Sequence, residues 1–189
     1  MESDFTPQES LLVLNEALSL LATPETFTQG TWKCPVYEKP RKGEFLTSPT
    51  AKRDEHGRVI YAYCVEGAIN QACINALGEP RAVELGALTA KTGEGWDVNP
   101  EYMQGGKPTE LLSLNQLADK LFHSIIEEKK PDYLGGDEAR SAQIVNDCGY
   151  QESPSGEVAE SAKQTAYERV TKLLKRKRDA LRASLGVQG

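Results

Sequence analysis

Apolar positions in this chain recur at helical spacing in four stretches and alternate in the manner of a strand in two. Leu11, Leu14, Leu18 and Leu21 step by three and four residues, with Leu12, Val13, Ala17 and Leu20 widening the stripe. Thr6-Pro7-Gln8-Glu9 ahead of them reads as a capping box with Pro at the first helical position, and Thr23-Pro24 closes the run. A helix is predicted between those signals. From Thr28 to Tyr37 the pattern alternates, Trp32, Cys34 and Val36 on one face and Thr31 and Lys33 on the other. Val59 to Tyr63 can return as the partner strand after a turn at Asp54-Glu55-His56-Gly57, with residues 38–53 a surface excursion. A two-stranded ribbon of this kind needs helices to pack on.

The next stretch organises the rest. After Cys64, the residues Val65, Ala68, Ile69, Ala72 and Ala76 share one helical face, and Glu66, Asn70, Gln71 and Asn75 spread over the other half. Gly67 lies in that polar half, where a helical Gly costs about 1 kcal/mol against Ala, so a close backbone approach is the expected reason for it. Gly78-Glu79-Pro80 breaks the chain, and residues 79–109 read as a long irregular loop. A further helix begins at Pro108-Thr109-Glu110, carries Leu114, Leu117, Ala118, Leu121, Phe122, Ile125 and Ile126 at its period, and stops before Pro131. A short apolar segment, Ala142 to Val145, precedes Asn146-Asp147. The last helix runs from about Glu157 to Leu185 on a seam through Ala159, Ala162, Ala166, Val170, Leu173, Leu174, Leu181 and Leu185. The expected fold is α+β, a mostly helical single domain with a small antiparallel β-hairpin and a long C-terminal helix. A compact domain over 6–174 and a basic helical extension over 175–189 are the expected divisions.

Composition narrows the function classes. A chain of 189 residues is long enough for one real core. No apolar run approaches the ~20 residues of a membrane span, and the acidic start Met1-Glu2-Ser3-Asp4 lacks the basic region of a signal peptide, so a cytoplasmic protein is expected. Cys34, Cys64, Cys73 and Cys148 show no CxxC spacing and are accompanied by two histidines, which argues for no metal site. No phosphate-binding Gly loop or hydrolase motif occurs, and no cofactor is expected. Charge is unevenly placed: residues 163–189 carry eight Lys/Arg against two Asp/Glu, a net of +6, while the preceding 162 residues carry a net of −12.

Four groups of residues can carry function. Cys64 at a helix start is favoured as a thiolate by the helix dipole, but a nucleophilic thiol needs a base, and only His56 and His123 are available. A packing thiol is the favoured reading. Trp32, Glu66, Gly67, Asn70 and Gln71 can line a small-molecule cleft or form a solvated helix edge. Asn146 and Asp147 can hold a ligand or, more commonly, cap local backbone groups. Lys172, Lys175, Arg176, Lys177, Arg178 and Arg182 form a cationic band suited to a second copy of the chain, to a protein partner or to nucleic-acid phosphates, without aromatics to stack on bases.

Three segments, Gln29-Gly30-Thr31-Trp32, Cys64-Val65-Glu66-Gly67-Ala68-Ile69-Asn70-Gln71-Ala72 and Val145-Asn146-Asp147, together with the opening leucine helix, resemble a domain-of-unknown-function family of small actinobacterial and phage proteins. Val145 stands where that family usually has Trp, and residues 38–53 and 79–109 are longer than its pattern. The resemblance implies a compact α+β domain and brings no established activity. The expected function is a non-enzymatic binding or accessory protein of phage or actinobacterial type, a modulator of a host system in the host-cell cytoplasm if phage-encoded. The alternatives are a small cysteine-dependent enzyme using Cys64 and a nucleic-acid-associated protein using the basic helix.

Overall fold

The computed structural model describes residues 4–29, 31–38, 50–89, 108–125, 146 and 160–187. Within them the order is α1 (Pro7–Leu20), a 3-10 turn (Pro24–Thr26), β1 (Lys33–Pro35), β2 (Tyr61–Tyr63), α2 (Val65–Leu77), α3 (Glu79–Leu85), α4 (Pro108–His123) and α5 (Glu160–Leu185). The α+β expectation holds: the chain is mostly helical, with a two-stranded antiparallel sheet and a long C-terminal helix. One core joins Val13, Leu14 and Ala17 of α1, Ala68, Ile69 and Ala72 of α2, Leu117 and Leu121 of α4, and Val170, Leu174 and Leu181 of α5.

The start of α1 is built as its sequence dictates. Thr6 Oγ1 accepts from Glu9 N at 3.2 Å, and Glu9 Oε2 accepts from Thr6 N at 2.8 Å, satisfying two backbone donors reciprocally. The same carboxylate takes Arg81 Nε from α3 at 2.7 Å. That Arg81 hydrogen bond, ahead of the Thr6 contacts, holds the Glu9 carboxyl down at about 2, against 4.5 for an unperturbed group. A depressed carboxyl stabilises the fold above its unfolded pKa and loses that contribution as pH falls through the folded one. Stability is therefore expected to decline between about pH 4.5 and pH 2 more steeply in the wild type than in Glu9→Gln, measured as melting temperature against pH. Parallel profiles would remove Glu9 from the acid response.

The ribbon pairs Lys33 with Tyr63, Cys34 with Ala62 and Pro35 with Tyr61. Beyond it, residues counted in the excursion come back into register: Lys52 N donates to Val36 O, and Ile60 N donates to Lys52 O. The 54–57 turn is closed by Asp54, whose Oδ1 accepts from His56 N and Arg58 N. On the other side of β2, Thr28 N donates to Tyr63 O, so the 27–29 segment lies beside the ribbon.

Two expectations are corrected. Residues 79–85 belong to a helix, α3, and not to an irregular loop. Gly78, at φ +79°, ends α2 and starts α3, and Pro80 falls in the first turn, where its missing N–H is not needed. Residues 86–89 follow α3 without regular structure and Pro108 already opens α4, while 90–107 of the expected loop, like the 142–145 segment, lie outside the described residues. The second correction concerns α5. Residues 175–189 were expected to form a basic extension beyond a compact domain ending at 174, yet in this 26-residue helix Lys177 and Leu181 are buried and Leu185 packs against the core. Steps of four, four, three, four and four residues through 166, 170, 174, 177, 181 and 185 keep one face turned inward to the end. Tyr167 Oη donates to Leu21 O at 3.1 Å and Arg182 Nη2 to Asn15 Oδ1 at 3.4 Å, tying α5 to α1 along its length. Residues 175–185 are thus part of the packed unit.

Candidate functional site

The segments singled out by the sequence meet at the first turn of α2. Cys64 is its N-cap, with extended backbone, and its Sγ accepts from Gly67 N at 3.4 Å. The Cys64 backbone N–H donates to Trp32 O at 3.2 Å, which joins β1 to the helix start. Val65 N donates to Asn146 Oδ1 at 2.9 Å, and the Asn146 carbonyl accepts from Gln29 Nε2 at 2.5 Å. Donors that a helix leaves unpaired in its first turn are thus met by a thiol and by an amide 81 residues away. Gln29, Cys64, Glu66 and Asn146 are all buried.

Gly67 is explained by contact. A Cβ built there would lie 2.0 Å from Trp32 O and 2.8 Å from Trp32 C. The approach is to backbone, which cannot swing aside as a flexible side chain can. Trp32 enters the cluster through its carbonyl, and its side chain is half-buried.

The polar half of α2 is neither an open edge nor a free row of ligand groups. Glu66 is 4% exposed and Asn70 0% exposed. Asn70 bonds both backbone groups of Leu88: its Nδ2 donates to the carbonyl at 2.9 Å and its Oδ1 accepts from the N–H at 2.8 Å. It therefore fastens the chain that follows α3. Gln71 Nε2 donates to Asn75 Oδ1, and Asn75 Nδ2 to Glu16 Oε1, which carries the exposed edge of α2 across to α1. Asp147 lies outside the described residues.

The thiol chemistry of the site is constrained on two sides. The N-terminus of α2 and the Gly67 N–H favour negative charge on Cys64 Sγ, while the Glu66 carboxylate 3.8 Å away opposes it and serves instead as acceptor for the S–H. Cys64 is 3% exposed. Both histidines are on the surface and engaged elsewhere: His56 with Glu55 in the hairpin turn, and His123 with Asp119 on its own helix at 2.9 Å. The remaining described thiols are packing groups. Burial pushes the Cys73 thiol up to about 12 and raises that of Cys34.

Among the cations expected to meet a partner, the structure makes a division. Lys172, Lys175 and Arg176 are exposed on the outward face of α5. Lys177 is 2% exposed, its Nζ 5.9 Å from the centre of the Phe122 ring, so burial withdraws it from the partner-facing group. Arg178 is partly covered and pairs with Asp179 at 2.8 Å, and Arg182 leans on α1. Helical phase is the reason, since residue 177 falls on the line of 170, 174 and 181.

Sequence reasoning missed Gln29 as a structural anchor and Arg81 as the partner of Glu9. Nothing in the local pattern marks either, because their partners lie 117 and 72 residues away. Among the described residues no group of three His, Cys, Asp or Glu is placed to hold a metal ion, and no helix is long and apolar enough to cross a membrane.

Replacing Asn146 tests how the cluster is held. Asn146→Ala strands the buried Val65 N–H and is expected to cost about 1–3 kcal/mol in urea unfolding. Asn146→Asp, which keeps an acceptor at the helix N-terminus, is expected to lose less. Equal losses in the two variants would show that the hydrogen bond is not what matters. Comparison of the chain with protein-family models, with curated proteins and with solved structures finds no match.

Proposed function

We propose that the protein is a non-enzymatic binding or accessory protein that engages a protein partner, in the first instance a second copy of itself, through the outward face of α5. The observation that carries this reading is the exposure of Lys172, Lys175 and Arg176 on one face of a helix whose opposite face is built into the core. A rigidly seated cationic face loses little order on binding, and an acidic body of net −12 offers it a complementary surface on another copy. The polar residues at the start of α2 support the same reading from the other side, since they are spent on joining backbone segments. The phage or actinobacterial character of the protein, and a role in modulating a host system, rest on the motif resemblance.

The test is native mass by light scattering at low and high salt, with Lys172→Glu, Lys175→Glu and Arg176→Glu combined as the control. A mass above the 20.8 kDa of one chain is expected at low salt, lost at high salt and in the triple variant, whose melting temperature should be unchanged. A single-chain mass at every salt overturns self-association. Salt-sensitive retention of duplex DNA by the wild type but not the triple variant would move the reading to nucleic acid.

Thiol chemistry at Cys64 remains the second reading, favoured by its N-cap position and the Gly67 N–H on its sulfur. It requires Cys64 to react with a thiol reagent in the folded protein.

A further inference from the structure

We draw no further inference here: the strongest candidate, the buried cluster of Cys64, Glu66 and Asn146 at the start of α2, is a single thiol at a helix N-terminus beside which no second observation points to a ligand.

Discussion

Gly67→Ala is expected to be the most damaging single-methyl change in this protein. In an ordinary helix interior the substitution would gain about 1 kcal/mol from propensity. Here the added carbon would lie 2.0 Å from Trp32 O, closer than any non-bonded contact allows. The carbonyl cannot yield cheaply, because it accepts from Cys64 N at 3.2 Å and belongs to the chain entering β1. Either α2 moves away from the ribbon or the ribbon loses its hold on the N-cap. Overpacking of this kind costs about 1–3 kcal/mol when side chains can adjust, and a backbone obstacle places the cost at or above the upper end. For a chain of this length that corresponds to a fall of roughly 10 °C in melting temperature. Gly67→Leu should be worse. A Gly67→Ala protein melting at the wild-type temperature would mean that α2 and β1 are not apposed as described.

Asn70→Asp is expected to rank next, although it changes only an NH2 for an oxygen. The Asn70 side chain donates to Leu88 O and accepts from Leu88 N, at 2.9 and 2.8 Å, with no exposure to water. A carboxylate keeps the second bond but sets an anionic oxygen against the Leu88 carbonyl. Burying that charge without a donor in place of the lost one costs several kcal/mol unless the group takes up a proton. The expected signature is therefore pH-dependent. A group whose folded pKa is raised carries its full penalty above that folded value, and the penalty shrinks as pH falls toward the unfolded value, about 3.9 for Asp, below which it is gone. Urea unfolding at pH 7 should show the variant weakened by about 2 kcal/mol or more, with the gap to wild type narrowing toward pH 4. A gap that does not change with pH would place the cost in packing rather than in the hydrogen-bond pair.

Both positions bear on how much of the protein was legible beforehand. Gly67 announced itself, since a glycine within an otherwise well-formed helical pattern calls for a neighbour too close for a side chain. The neighbour was not named by the sequence, because Trp32 is 35 positions earlier and reaches Gly67 only through the pairing of β1 with β2. Asn70 was read with Glu66 and Gln71 as one polar row. Periodicity sorts residues by angle around a helix, but it does not say how many sides of that helix are covered. Here α2 contacts α1, α3, α4 and β2, so the row is divided: Glu66 and Asn70 are enclosed and Gln71 is left at the edge. The basic band of α5 was divided in the same way when its inner face remained packed past residue 174.

What the sequence by itself determined is what can be satisfied within a few residues. The Thr6–Glu9 box, the Cys64 cap over Gly67, the glycine break at 78, the Asp54 turn and the inward seam of α5 all close over three or four positions or follow from helical phase. Tertiary structure alone decided which distant groups complete the remainder: Asn146 on Val65, Gln29 on Asn146, Asn70 on Leu88, Arg81 on Glu9. Those pairs join polar groups that folding removes from water or partly shields, and a buried donor or acceptor must find a partner wherever the packed chain brings one. The identity of that partner is a property of which elements meet, and no local pattern encodes it.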